Sequence, residues 1–194
     1  MQFIDKLAQA QQRSGSDWAL WVSPKVEHLP LAIQRFDDPY LPYMRAIYQA
    51  TKDLMCAYIL DFGAYLALGA AGAVALERCI DLIGLEHVAI VDGAFASARY
   101  VGLWDELAYG CDGVTLADGK YSAAYTGRPD RAAFVMSDGV PDERTQPTYW
   151  TGARMLGVGT LRVRVLPDDL LYRARSLDFE VTLREKTLEA MRAV

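Results

Sequence analysis

The chain has 194 residues, 52% of them hydrophobic, with 20 Lys and Arg against 25 Asp and Glu and a formal net charge of −5. That length buries one substantial core, so a single domain over residues 1–194 is expected. The acidic balance argues against nucleic-acid binding, which needs a surplus of cations on one face. Apolar runs such as GAYLALGAAGAVAL (63–76) are too short and too rich in Gly and Ala to span a bilayer. The opening MQFIDKLAQAQQRSG mixes acid, base and amide and does not read as a secretory signal. A cytoplasmic protein with no membrane partner is expected.

The elements alternate along the chain. Phe3, Ile4, Leu7 and Ala10 share one face of a first helix. WALWVSP (18–24) reads as a strand stopped by Pro24, and residues 40–55 as a helix with Tyr43, Met44, Ile47, Thr51 and Leu54 on its stripe. CAYILDF (56–62) is a strand, 69–84 a helix ending at Gly84, and HVAIVDG (87–93) the clearest strand. A helix is expected over 100–110, strands over 112–118 and 131–138, and a weak helix between those strands. In the last third the pattern predicts a helix over 148–157, a strand over 160–166 and a helix over 167–175. A strand over 177–183 and a closing helix complete the series.

Most of these strands are unbroken apolar runs, the pattern of a parallel sheet buried on both faces. The expected fold is α/β, either a (β/α) barrel or a doubly wound sheet. In both, chemistry gathers at the carboxyl ends of the strands. Ser23 and Lys25 follow the first strand, Asp61 the second, and Asp92 and Ser97 the third. Asp118 and Lys120 follow the fourth, and Asp138 the fifth. Each aspartate also fits a turn or a helix cap. As a set they suggest a carboxylate-lined mouth, with Asp92, Asp138 and Asp118 as acid/base candidates. Ser23, Lys25, Asp61, Ser97 and Lys120 are the candidates for holding a small-molecule substrate.

Other chemistry is poorly supported. Cys56, Cys79 and Cys111 are scattered without metal-ligand spacing and read as buried reduced thiols. With only His28 and His87, a histidine-based metal site is not expected, and no cofactor is assigned. GVGT (157–160) lacks the lysine of a phosphate-binding loop.

Four stretches in order carry a family resemblance. They are FIDKLAQAQQRSGSDWALWVSPKVEHLP (3–30), AYILDFGAYLALGAAGAVALERCID (57–81), AIVDGAFASA (89–98) and DGVTLADGKYSA (112–123). Together they resemble the longer-chain bacterial orotidine 5'-monophosphate decarboxylases over about residues 3–140. The resemblance implies a TIM-like (β/α) barrel and a homodimer with its active sites at the subunit interface. Against the family pattern this barrel is expected to be truncated, with about seven strands, and its C-terminal phosphate grip has no counterpart.

The family's catalytic set is also altered. Its signature Asp-Ala-Lys-Arg-Gly-Asp-Ile falls on Asp92-Gly93-Ala94-Phe95-Ala96-Ser97-Ala98. Asp92 is kept, while Ala94 replaces the lysine and Ser97 the second aspartate. Ser23 stands at the first-strand aspartate position and Ile59 at the second-strand lysine. An alanine donates no proton, so orotidylate decarboxylation is not expected. Two readings stay open. One is a lyase, cyclisation or isomerisation enzyme using acid/base chemistry on a small unphosphorylated metabolite of a specialised biosynthetic pathway. The other is a catalytically inactive pseudoenzyme serving as a dimeric binding or scaffolding subunit.

Overall fold

The computed structural model describes residues 1–84, 86–105, 107–125, 127–137, 148–150, 155–167, 169–172, 174 and 178–193. The first helix, α1 (Phe3–Ser14), buries Phe3, Leu7 and Ala10 and stops where Gly15 turns left-handed at φ 60°. Strand β1 (Trp18–Val22) follows, then α2 (Tyr40–Thr51), β2 (Ala57–Asp61), α3 (Phe62–Leu66), α4 (Ala70–Gly84) and β3 (Val88–Phe95). Next come β4 (Gly113–Leu116), β5 (Ala132–Ser137), β6 (Thr148–Trp150), β7 (Met155–Val158) and β8 (Leu161–Leu166). Helices α5 (Asp169–Tyr172) and α6 (Phe179–Arg192) complete the described chain.

The strands close into a barrel in sequence order, with β8 returning to pair with β1. Pairing is parallel from β8 through β1 to β6, and β7 runs antiparallel to both of its neighbours. The barrel expectation therefore holds, with eight strands among the described residues where about seven were expected. The difference lies in three segments, two gained as strands and one lost. Residues 148–150 and 155–157, expected to be helical, lie in strands. Thr148, Tyr149 and Trp150 are β-branched or aromatic residues that favour extended backbone. The expected strand at 177–183 lies, from Phe179 on, in α6, which buries Phe179, Leu183 and Thr187 at helical spacing and leaves Val181 61% exposed. The helices expected at 100–110 and after Lys120 are 3-10 turns over Ala98–Trp104 and Gly119–Tyr125.

Two apolar layers hold the barrel. The outer one packs Leu20, Val22, Tyr58, Leu60, Val91 and Val114 against α2, α4 and α6. Tyr40, Tyr43 and Tyr48 are buried in it, as are Cys79 and Cys111. The inner layer fills the barrel with Ala19, Ala57, Ile59, Ile90, Ala132, Phe134, Val163 and Val165, together with Cys56. Phe3, Leu7 and Ala10 of α1 join this inner layer and close the barrel at its amino end. Burial pushes all three thiols up to about 12, so they behave as small hydrophobes. Helix α4 lies unusually close to α3, because a Cβ at Gly72 would sit 1.8 Å from the Tyr65 carbonyl oxygen. On β8, Arg164 faces outward, stacks on Trp18 and pairs with Asp17, while Val163 and Val165 face in. Among the described residues no helix is long and apolar enough to cross a membrane.

Candidate active site at the barrel mouth

Strand side chains alternate, so the last inward positions of β1 to β4 form one row at the mouth. That row is Ser23, Asp61, Asp92 and Thr115. Ser23, just past β1 and 6% exposed, donates its hydroxyl to Asp61 Oδ2 at 2.8 Å. Asp61 ends β2 and caps α3, its Oδ1 accepting the Ala64 N–H at 3.0 Å. Asp92 lies directly opposite Asp61 on the neighbouring strand. Thr115 of β4, 1% exposed, donates to Asp92 Oδ1 at 2.5 Å.

Burial raises the Asp92 carboxyl above the usual carboxylate range. The hydrogen bonds from Thr115 and from the Ala94 backbone N–H oppose that rise, and the nearby Asp61 charge adds to it. Two neighbouring carboxyls in different surroundings are the arrangement that separates a proton carrier from a fixed acceptor. No third acid, histidine or cysteine joins them as a metal-holding group among the described residues.

The turn after Asp92 is tightly built. A Cβ at Gly93 would lie 2.3 Å from the Phe95 ring. That ring stacks on Tyr100 at 4.5 Å and meets Phe62 edge-on at 5.3 Å. Ala94, at the family's lysine position, adopts φ 43°, a left-handed conformation that an L side chain resists. Ala94→Gly is expected to raise unfolding stability by about 1 kcal/mol, read from urea denaturation. A loss of stability would show that the alanine methyl is held by packing.

The other strand-end residues are placed differently. Ser97 accepts the Arg99 N–H and caps the turn that follows it. Asp118 is exposed and accepts the Lys120 N–H, while Lys120 itself lies over the Tyr121 ring on the surface. Lys25 is exposed, 5.9 Å from the Tyr172 ring centroid. Tyr172 donates its hydroxyl to the Ser23 carbonyl at 2.5 Å, so α5 is tied to the mouth. Asp138 lies outside the described residues. His28 packs edge-on against Tyr172, and His87 is buried in the outer layer between the Tyr48 hydroxyl and the Lys52 carbonyl. Sequence reasoning missed Thr115. The available signal was a single polar residue inside Val114-Thr115-Leu116, in register with the Asp92 strand.

A closed, helix-flanked barrel with a polar row at the carboxyl ends of its strands places the chain in the (β/α)-barrel class. Within that class it resembles the orotidine 5'-phosphate decarboxylases. It is 32% identical over 146 residues to the orotidine 5'-phosphate decarboxylase of Thermomicrobium roseum, covering 70% of this chain and 51% of that protein. The enzyme of Herpetosiphon aurantiacus is 31% identical over 143 residues, covering 69% and 53%. This chain thus spans about half the length of the curated relatives it matches. The solved Leishmania donovani OMP decarboxylase superposes over 100% of both chains with a TM-score of 0.62 at 13% identity, a likeness of fold. The Plasmodium berghei orotidine 5'-monophosphate decarboxylase gives a TM-score of 0.57 at 12% identity, covering 72% of this chain and 62% of its own. No family model matches the chain.

Proposed function

We propose that the barrel mouth performs acid/base chemistry on a small unphosphorylated metabolite in the cytoplasm, as a lyase, cyclisation or isomerisation step of a specialised biosynthetic pathway. Asp92 carries the proton and Asp61 fixes the substrate. One observation carries this reading. Two carboxyls face each other on neighbouring strands, one held by Ser23 and the start of α3, the other raised by burial. Orotidylate decarboxylation is not proposed, because the Ala94 and Ile59 side chains carry no charge to oppose a substrate carboxylate.

The test incubates the protein in D2O with a panel of small unphosphorylated acids, alcohols and amines, following C–H exchange and product formation by NMR. Orotidine 5'-monophosphate serves as the control. A turned-over compound is expected in the panel, and Asp92→Asn should slow it at least about a hundredfold. An unchanged rate in Asp92→Asn, or turnover of the control alone, overturns the reading.

The same variant has a readout in stability. The folded value of Asp92 lies above its unfolded one, so the folded protein keeps a proton that the unfolded chain has released. Stability therefore falls as pH rises from about 4 through the raised value. Asp92→Asn keeps the oxygen that accepts from Thr115 and removes that fall.

A second reading, a catalytically inactive homodimeric scaffold, is favoured by a different observation. Leu66, Tyr100 and Val101 stay 37%, 42% and 37% exposed, and Tyr100 stacks on the Phe95 ring, which meets Phe62 edge-on. Such a rim is apolar surface suited to a second copy. Sedimentation equilibrium decides it. A dimer that dissociates on Tyr100→Glu, with no turnover of the panel, supports the scaffold, and a monomer rules it out.

A further inference from the structure

We propose that Thr115 is the positioning residue of the mouth, its single hydroxyl aiming the Asp92 carboxyl and holding the turn that follows. Val91 pairs with Val114 and Phe95 with Leu116, so Thr115 alone on β4 faces the three residues Asp92, Gly93 and Ala94 on β3. This is an irregularity of the bulge type, which removes ladder partners and re-aims a side chain. The backbone N–H groups of Gly93 and Ala94 point instead at Thr115 Oγ1, at 3.1 and 3.0 Å.

A threonine hydroxyl has one proton and two lone pairs. Both lone pairs are taken by the two N–H groups, so the proton is left for Asp92 Oδ1. The direction of that bond is therefore fixed: Thr115 donates and Asp92 accepts. Oδ1 is made the less basic oxygen, and a proton arriving on Asp92 is directed to Oδ2. The same three bonds hold Ala94 at its left-handed φ of 43°. The titratable neighbour facing Asp92 is Asp61 on β2, which accepts from Ser23 and Ala64. The proposal takes Asp92 as the working carboxyl from the preceding reading, but its geometry does not depend on turnover.

The experiment compares Thr115→Val, which keeps the branched shape and loses the hydroxyl, with Thr115→Ser, which keeps the hydroxyl. Asp92 is followed by carboxyl carbon NMR titration, and Gly93 and Ala94 by amide exchange, with urea unfolding alongside. In Thr115→Val the Asp92 midpoint should move upward and both amides should lose their protection. In Thr115→Ser midpoint and protection should stay at the wild-type values. A Thr115→Val protein that is less stable but has an unmoved Asp92 midpoint overturns the proposal, because a merely structural contact behaves that way. Should the valine variant not fold, Thr115→Ser decides alone: a moved midpoint in a folded protein overturns the proposal and an unmoved one supports it. If Asp92→Asn leaves turnover unchanged while Thr115→Val moves the Asp92 midpoint, the functional reading fails and this one stands.

Discussion

Asp112→Ala is expected to cost about 3–5 kcal/mol of unfolding stability, the range for removing one partner of a buried ion pair. Asp112 stands just before β4 and is 3% exposed. Its Oδ2 accepts the Ala89 N–H at 2.9 Å, and both of its oxygens lie 2.7 Å from the Lys6 ammonium. Arg131, before β5, reaches Oδ1 at 3.4 Å. One carboxylate thus ties α1, β3 and the edge of β5 at the amino end of the barrel. Alanine would leave a buried N–H and two cations without it. Lys6 and Arg131, with side-chain exposures of 22% and 12%, line a polar cavity beside Asp112, so water entering there offsets part of the loss and the low end of that range is expected. Lys6→Met is the informative companion, since it leaves Arg131 and the Ala89 N–H in place and should cost much less. The exposed Arg184–Asp53 pair, at 41% and 57%, makes the contrast: Asp53→Ala should cost no more than about 1 kcal/mol. Urea midpoints measure all three, and equal losses for Asp112→Ala and Asp53→Ala would contradict this account.

Phe134→Ala is the second large loss, again about 3–5 kcal/mol by the usual cost of emptying a core aromatic site. Phe134 is fully buried inside the barrel and meets the edge of Phe3 at 5.8 Å. Its ring also occupies the space above Gly113 on the adjacent strand, where a Cβ would lie 2.9 Å from Phe134 Cε2. The large residue on β5 and the missing side chain on β4 are therefore one packing unit. Removing the ring opens a void bounded by backbone and by α1, which cannot collapse to fill it. Phe134→Leu, which keeps most of the volume, should lose clearly less in the same urea unfolding. If leucine and alanine were equally costly, the ring contact with Phe3 rather than filled volume would be the cause.

The first five strands were legible because burial on both faces leaves a plain apolar signature. Ala57-Tyr58-Ile59-Leu60 has no polar residue to confuse it, and the structure buries all four. The last third was harder because period alone misled. Leu177, Phe179, Val181 and Leu183 alternate as a strand would, yet Phe179 and Leu183 are also four apart, and the helix uses that spacing. The mouth was half legible. Asp61 and Asp92 stand where the strand-end rule put them, side by side. Ser97 and Asp118 obey the same rule in sequence but act as caps, because a loop of two or more residues frees a side chain from the strand's alternation. Thr115 was hidden by its own burial, since a hydroxyl inside an apolar run reads as part of the strand.

The antiparallel turn of β7 also bears on how the chain reaches its native state. Trp18 at the start of β1 pairs with Arg164 on β8, so the sheet cannot close until the segment up to Arg164 is at hand. Loop closure over such a separation slows folding. β7 and β8 pair locally, Val158 against Leu161, and such hairpins form in about 1–10 μs. The closing strand thus arrives as a ready-made two-stranded unit, and the slow event is its docking onto β1. Until then β1 keeps an open edge of Trp18, Ala19 and Leu20, and this interval is when the nascent protein is most exposed to pairing with another chain.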